Sequence, residues 1–425
     1  AARRRGIFRQ AFGWVRRGSG HHSVSLMEKI LARRWLAIGI FFLASSINYL
    51  DRQSLATLAP IIRAEFRLNN ADYGWILAAF SVTYAAAAPF AGLLIDRIGL
   101  NRGISLAIGL WSLAGISTGF TRGLAGLVAC RAWLGLAEAG GIPAVGKAIH
   151  QYLAPEERAL GNGFNQCAVF LGAILAPPVT TWLAVRFDWR VAFVATGVLG
   201  LLWIPLWNRV ARSHKPSRPS AIEPLSNSLH LLRERRMWGF VIANALSMVT
   251  YSLWSNWTTL YLVEVNRLTL VQAAWFAWLP PLAAMMGGFA GGWLSFRWAK
   301  QGMRPVAARA RVCLICAIVA LETAFVPLTT DALWASAGIS VSILAVSAFS
   351  VNLYTMPLDV YDGARAAFAI SLLVSAYGAM QAVVSPALGS LIDHFGYGPV
   401  CVLASVTPLV AYGALRVTEP RVTNQ

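Results

Sequence analysis

The sequence predicts an all-α polytopic membrane protein with twelve transmembrane helices, and three observations support this fold class. The chain of 425 residues is 57% hydrophobic and only 13% charged, whereas a soluble domain carries about 25% charged residues. Its apolar stretches are long enough to cross a bilayer, which takes about 20 residues of helix. They also lack the alternation of polar and apolar residues that marks a barrel strand, so helices are expected.

Twelve such stretches follow one another along the chain. They run roughly over 35–58, 72–95, 103–121, 124–150, 159–184, 191–208, 237–261, 272–295, 307–329, 332–355, 366–391 and 398–416. The longest polar gap, about 209–236, contains Lys215-Pro216-Ser217-Arg218 and has the composition of a linker. We expect a six-helix first half at 35–208 and a six-helix second half at 237–418. A basic cytoplasmic tail at 1–34 and a short tail at 419–425 flank them.

The two halves show weak internal similarity. Pro178 in the fifth stretch and Pro386 in the eleventh are each followed, nine positions later, by Phe187 and Phe395. A displacement shared by several positions is typical of a duplicated unit. Parallel six-helix repeats with a binding site at the midplane between them are an architecture of secondary transporters.

The net charge of the chain is +18, and the uneven placement of its Lys and Arg residues indicates a membrane topology. If the N-terminus is cytoplasmic, the inward-facing segments hold most of the Lys and Arg residues. This bias predicts that both termini lie in the cytoplasm, as in a protein of the cell inner (plasma) membrane. It argues against a nucleic-acid partner. Residues 1–26 have no long apolar core and are not a secretory signal. Two interpretations of these residues stay open: they contact anionic membrane lipids, or they are an extension upstream of Met27.

The sequence indicates neither an enzyme nor a metal site. It contains no nucleophile–base constellation and no nucleotide-binding loop. Cys313 and Cys316 form a CxxC pair without a second pair of ligands, so we expect them to pack in a helix. No cofactor is expected.

Four charged residues interrupt apolar stretches of the first half. Asp51 and Arg52 are adjacent in the first stretch, and Arg131 and Glu138 are seven apart in the fourth, nearly on one helix face. A charge at membrane depth costs about 2.5–3.5 kcal/mol on insertion scales, so it usually persists for function with a partner nearby. Gly135 leaves room between the second pair for a neighbouring helix or a ligand, and Gly140, Gly141 and Pro143 suggest a bend.

These side chains suit the joint binding of an anion and a proton. Arginine stays charged and can hold a carboxylate through two parallel hydrogen bonds. An arriving anion that competes for the arginine releases its carboxylate partner, which is then easier to protonate. The alternative is a static ion-pair network that serves packing.

A specific local pattern follows the second stretch: Gly92, Asp96, Arg97, Gly99 and Arg102. The glycines allow a tight turn, and Asp96 can meet a helix N-terminus or an arginine as a cytoplasmic latch. This spacing resembles the signature loop of the major facilitator superfamily. The corresponding loop of the second half has Phe296 where the acid would be, so no matching latch is expected there.

Asn48-Tyr49-Leu50-Asp51-Arg52, together with Arg131 and Glu138, resembles the anion:cation symporter branch of that superfamily, which includes hexuronate and galactonate transporters. The resemblance implies proton-coupled uptake of an organic anion by a monomer. It implies that Asp51 and Glu138 handle protons, that Arg52 binds substrate and that Arg131 pairs with the acids. Other residues that match the branch's substrate contacts, or lie close to them, are Tyr49, Asn48, Tyr84, Asn165 and Gln166. Val169 stands where some sugar-acid transporters have a glutamine.

Polar residues of the second half are expected to form the other wall of the cavity. The candidates are Tyr251, Asn256 and Trp257 in the seventh stretch, Asn352 in the tenth, and Ser375 and Gln381 in the eleventh. The leading hypothesis is a proton-coupled symporter that imports a sugar acid or another carboxylate by alternating access. An organic anion exchanger, a drug exporter of the same superfamily, and a non-transporting sensor on the same fold are the alternatives.

Overall fold

The computed structural model describes residues 21–154, 157–211, 229–361 and 363–419, and these ranges contain helices and no β-strand. The all-helical class is confirmed. The helices are α1 (His21–Phe66), α2 (Asn70–Ile98), α3 (Leu100–Thr118), α4 (Leu124–Glu138), α5 (Gly141–Tyr152), α6 (Arg158–Arg186), α7 (Trp189–Ala211), α8 (Arg235–Glu264), α9 (Leu270–Ala277), α10 (Leu279–Lys300), α11 (Pro305–Val319), α12 (Ala332–Val360), α13 (Gly363–Phe395) and α14 (Tyr397–Thr418). Two 3₁₀ segments cover Leu229–Arg233 and Ala320–Leu328.

Each of the twelve predicted stretches coincides with helical residues. In the described ranges, seven helical segments are long and apolar enough to cross a membrane, and they begin with Leu160–Arg186 and end with Tyr397–Thr418. Helix α1, which carries Asp51 and Arg52, is not among them. Most of the predicted tail at 1–34 (residues 1–20), most of the linker (212–228) and all but Glu419 of the last segment lie outside the described residues.

Two predicted stretches are interrupted where the sequence disfavours a continuous helix. The fourth is divided into α4 and α5 at Ala139 and Gly140, close to Pro143, as the glycines and the proline suggested. The eighth is divided at Trp278, just before Pro280. Proline cannot donate a backbone hydrogen bond and clashes with the preceding turn, so it is tolerated best at a helix start.

Local chemistry fixes both ends of α2. Asn69 caps its start through a hydrogen bond from the Asp72 backbone N–H to Asn69 Oδ1, 2.7 Å long, and Asp72 Oδ2 accepts from the Asn69 N–H in return. Gly99 ends the helix with φ +84°, a conformation that favours glycine. Lys147 Nζ donates to the Ile95 carbonyl oxygen in the last turn, where a positive charge is favourable.

The packing of the helices repeats between the two halves of the chain. In the first half α2 packs on α4, α1 on α6, and α3 on α7. In the second half the corresponding partners are α10 with α12, α8 with α13, and residues 305–328 with α14. The halves meet where α2 packs against α13, α6 against α10, and α1 against α8. A central space is therefore bounded by both halves.

Polar contacts join the halves at the end of the bundle where α1 ends and α2 begins. Arg63 Nη1 lies 2.5 Å from Glu264 Oε1. Asp393 of α13 receives hydrogen bonds from the first backbone N–H groups of α2, at Asn70 and Ala71, each 2.9 Å long. A carboxylate at a helix N-terminus is stabilised by the helix dipole. The second half thus caps a helix of the first.

An aromatic contact lies next to these polar contacts. The Tyr73 hydroxyl donates to the Asn256 carbonyl oxygen at 3.0 Å. The Tyr73 ring packs edge-on against Trp257, with ring centroids 5.4 Å apart. Arg63, Asn70 and Tyr73 of the first half and Trp257, Glu264 and Asp393 of the second are called the closure contacts below.

We expect Asp393→Asn to weaken the closure contacts, because an amide cannot accept from every donor that meets the carboxylate. The loss should be about 1–2 kcal/mol, or roughly tenfold in the equilibrium between closed and open arrangements. Double electron–electron resonance between spin labels at Leu68 and Asn266, in a cysteine-free background, should show a larger population at long distance.

The matched control is Asp331→Asn. Asp331 also caps a helix, accepting from Leu333 and Trp334 at 2.8 and 3.2 Å, but the capped helix is in its own half. Its substitution should leave the distance distribution unchanged. Equal distributions for Asp393→Asn and the parent protein would contradict the role of this cap.

Candidate functional site

Asp51 is held on the side of α1 that faces α3 and α7. It is 3% exposed and accepts a hydrogen bond from Thr196 Oγ1 at 2.7 Å. Gly115 of α3 makes room for the carboxylate: a Cβ at this glycine would lie 3.1 Å from Asp51 Oδ1. The acid is therefore enclosed by the first half, with a neutral donor as its partner.

Arg52 points toward α2 and α4. Its Nε and Nη2 groups both donate to Glu138 Oε2, the former at 3.1 Å. The guanidinium also lies over three aromatic rings, 4.6 Å from the centroid of Phe80, 5.0 Å from Tyr49 and 5.5 Å from Tyr84. Such contacts favour a desolvated cation. The arginine is thus held by one carboxylate and an aromatic cage.

Glu138 is the last residue of α4 and is 2% exposed. Because both Arg52 donors converge on Oε2, the other oxygen, Oε1, has no hydrogen-bond partner. A buried acceptor without a partner costs about 1–3 kcal/mol. The ion pair therefore leaves one carboxylate atom able to take another donor.

Arg131 is also buried and lies on α4 two turns before Glu138. In the described part of the chain it belongs to no ion pair, and its Nε has no hydrogen-bond partner. Sequence reasoning expected Arg131 to pair with the acids and Arg52 to face the substrate. In this conformation the pair with Glu138 is made by Arg52.

A central cavity of about 460 Å³ lies between the halves, a size typical of small-molecule sites. Among the described residues, its lining contains Arg52 and Arg131 as the charged side chains, and both come from the first half. Asp51 and Glu138 do not line it. The arginines therefore face the cavity and the acids lie behind them, which makes the wall suited to an anion.

Several predicted residues border this cavity. Beside the two arginines they are Tyr49, Gln166, Tyr251, Asn256 and Gln381. Gln381 accepts from Ser81 of α2 at 3.1 Å, which links the two walls. Tyr84 contributes through its contact with Arg52.

Other predicted contacts are not brought to the cavity in this conformation. Asn48, Asn165, Trp257, Asn352 and Ser375 are absent from its lining. Asn165 accepts from Ser45 at 2.8 Å, and Trp257 is one of the closure contacts. Asn352 is fully buried, with its amide N–H on the Ala348 carbonyl, and Ser375 is exposed. These side chains lie on helix faces that are turned away from the cavity. The sequence alone does not determine how each helix is rotated about its axis.

The glycine-rich pattern after the second stretch forms the end of α2 and the start of α3. Gly92 faces Pro143, whose Cγ would be 3.7 Å from an added Cβ, and Gly99 makes the turn. Arg97 and Arg102 are exposed. The Asp96 side chain lies outside the described residues, so its latch role stays a prediction.

Three residues of the site were missed by sequence reasoning. Phe80 is four positions before Tyr84, so the two rings share a helix face and stack at 5.6 Å; this spacing could have indicated it. Thr196 and Gly115 carry no comparable signal. A single hydroxyl or glycine in an apolar helix is identified only by what packs against it.

Gly135 permits the close approach of α4 to α2. An added Cβ would overlap Thr83 Oγ1 and the Phe80 carbonyl oxygen and lie 3.1 Å from Tyr84 N. We expect Gly135→Ala to cost about 1–3 kcal/mol of stability through overpacking. Its melting temperature in detergent should fall by several degrees. Gly146→Ala, where nothing lies within 4 Å of the added atom, is the matched control and should not lower it. Equal melting temperatures for both variants would refute the packing role.

Comparison with known proteins agrees with this architecture. The chain is 27% identical to the hexuronate transporter of Escherichia coli (strain K12) over 410 residues, which cover 92% of this chain and 94% of the relative. It is 28% identical to the galacturonate transporter of Dickeya chrysanthemi over 286 residues, covering 63% and 83% of the two chains. These relatives are named as transporters and not as enzymes, as the sequence indicated.

Solved structures show the same fold at low sequence identity. A bacterial homologue of the human lysosomal transporter Spinster superposes with a TM-score of 0.71 at 20% identity, covering 91% of this chain and 95% of the other. The nucleoside transporter NupG gives a TM-score of 0.73 at 11% identity, with coverages of 90% and 99%. The profile of the Major Facilitator Superfamily matches residues 41–373. The chain therefore belongs to the Major Facilitator Superfamily, as the spacing of its glycine-rich loop and its twelve apolar stretches suggested.

Proposed function

We propose that this transporter is a proton-coupled symporter that imports a small organic anion, such as a sugar acid or another carboxylate. The observation that carries the proposal is the arrangement of charge: two arginines line the central cavity and two buried acids lie behind them. The relatives named for hexuronate and galacturonate support a sugar acid as the substrate class.

The anion would bind at Arg52. This guanidinium borders the cavity and already holds a carboxylate, Glu138, through two donors. A substrate carboxylate offers the same geometry and can compete for those donors. Arg131 lines the same cavity and adds a second positive charge for the incoming anion.

Proton binding would follow from this competition. Once Arg52 turns to the substrate, Glu138 loses its counter-charge in a low-dielectric setting, which favours its protonated form. Its free Oε1 is available to take the proton. Asp51, held by Thr196 on the other side of α1, is the second proposed titrating acid.

Alternating access would then move the two six-helix halves, 35–208 and 237–418, against each other. With both termini in the cytoplasm of a cell with an inner membrane, the closure contacts lie at the outer end. The glycine-rich pattern with Asp96 acts at the cytoplasmic end. We infer that the protein works as a monomer surrounded by membrane lipids.

We expect Asp51→Asn and Glu138→Gln to abolish uphill uptake, because neither amide can carry a proton through the cycle. Proteoliposomes with an imposed pH gradient and radiolabelled D-galacturonate should show at least a tenfold loss of accumulation. Counterflow exchange, which needs no net proton movement, should persist.

The matched control is Glu65→Gln, because Glu65 forms an exposed pair with Arg190 at 2.6 Å away from the cavity. It should accumulate substrate like the parent protein. If the parent protein accumulated the same amount of substrate with and without the pH gradient, proton coupling would be refuted and an exchanger favoured.

We expect Arg52→Lys to weaken binding of D-galacturonate about tenfold or more, because an ammonium group cannot present two parallel donors to a carboxylate. Isothermal titration calorimetry on purified protein measures this. Arg190→Lys, which also changes an arginine between a carboxylate and an aromatic ring, should bind like the parent. Retained affinity in Arg52→Lys would remove the arginine from the binding site.

A further inference from the structure

A large groove opens at the end of the second half where α8 begins and α14 ends. Its volume is about 1080 Å³. The lining comes from the start of α8, the connection between α12 and α13, and the end of α14, and it contains four arginines: Arg235, Arg236, Arg365 and Arg416. We call it the arginine groove. It shares no described residue with the central cavity, so it is separate from the proposed transport site.

The positive charge of the arginine groove is only partly balanced by acids. Two carboxylates belong to its described lining, Glu234 and Glu419. Glu419 pairs with Arg416 at 2.9 Å. Glu234 Oε2 accepts a hydrogen bond from the Tyr361 hydroxyl at 3.0 Å. In the ranges that the structure describes, three arginines therefore have no carboxylate partner: Arg235, Arg236 and Arg365.

The ends of the surrounding helices place the groove at the membrane surface. Arg416 is in the last turn of the apolar span Tyr397–Thr418, and Arg365 comes three residues before the span Phe368–Phe395. Trp238, in the first turn of α8, is 49% exposed and donates its indole N–H to the Leu232 carbonyl oxygen at 2.8 Å. Tryptophan is enriched at this level of a membrane, with one end apolar and the other polar. Val417, which lines the groove, adds exposed apolar surface beside the arginines.

The neighbouring parts of the chain do not supply the missing negative charge. The segment 212–228 carries three Lys or Arg residues and one Glu, and 420–425 carries one Arg and no acid. Asp362, which follows Tyr361 in the sequence, adds one acid. The four arginines still outnumber the three acids. The groove is therefore complementary to an anion that comes from outside the chain.

We propose that the arginine groove binds the headgroup of an anionic phospholipid. Guanidinium groups hold phosphate oxygens through paired, charge-assisted hydrogen bonds. Basic pockets between spanning helices suit lipid headgroups, because the acyl chains stay in the bilayer while the phosphate meets the cations. A phosphate here contacts three helix ends at once, at α8, α13 and α14. It balances their mutual repulsion and stabilises this end of the second half.

The test measures lipid binding to the full-length protein in detergent by native mass spectrometry. Phosphatidylglycerol carries a net negative charge, whereas phosphatidylcholine of the same acyl chains has the same phosphate with a balancing cation. The parent protein should bind phosphatidylglycerol at least tenfold more tightly. It should also melt several degrees higher with phosphatidylglycerol than with phosphatidylcholine, because a ligand that binds the folded state stabilises it.

The double variant Arg235→Gln, Arg365→Gln should lose phosphatidylglycerol affinity about tenfold or more and lose the gain in melting temperature. Both side chains are exposed, so the fold should be retained. The single variant Arg365→Gln, with a loss of about fivefold, is the second test should the double variant fold poorly. The matched control is Arg297→Gln, Arg304→Gln, which removes the same charge from two exposed arginines outside the groove. It should bind phosphatidylglycerol like the parent protein.

Three outcomes would overturn the proposal. Equal affinity of the parent protein for both lipids would show that the groove does not select an anionic headgroup. An equal loss in the groove variant and the control would mean that overall basic charge, and not this groove, attracts the lipid. Displacement of phosphatidylglycerol by millimolar inorganic phosphate or glycerol 3-phosphate would identify a soluble phosphate compound as the ligand in place of a lipid.

Discussion

The ion pair between Arg52 and Glu138 is the interaction on which the arrangement of the first half depends. Removing one partner of a buried pair costs about 3–5 kcal/mol, because the other charge is left uncompensated. This pair ties α1 to the end of α4, just before the helix is interrupted. The aromatic cage from α1 and α2 covers the rest of the guanidinium. Three helices therefore meet around one positive charge.

Asp51 and Arg52 are adjacent in the sequence but contact different parts of the structure. Successive residues of a helix point about 100° apart, so neighbouring opposite charges are directed to different partners. Asp51 reaches Thr196 and the space left by Gly115, while Arg52 reaches Glu138. A single step along the helix thus separates an acid enclosed by α3 and α7 from a guanidinium on the cavity wall. The two carboxylates, Asp51 and Glu138, therefore have separate surroundings and separate partners.

Sequence reasoning identified the charged residues because charge in an apolar stretch is rare and costly, so each exception is visible. It could not assign their partners. The seven-residue spacing of Arg131 and Glu138 places them on one face, but which arginine meets Glu138 depends on how α1 rotates against α4. The same limit explains Trp257 and Ser375, which the sequence suggested for the cavity. Polar and aromatic residues occur on every face of a membrane helix, and only packing decides which face is inside.

Helix α8 connects the cavity to the closed end of the bundle. Tyr251 borders the central cavity, and Trp257, further along the same helix, packs on Tyr73 of the other half. A ligand shifts a conformational equilibrium only as far as it binds the two states differently. A molecule in this cavity that contacts α8 at Tyr251 and α1 at Arg52 touches both halves at once, and those contacts change when the halves separate. Binding energy gained in the central cavity can therefore act on the closure contacts through a single helix, with no longer pathway required.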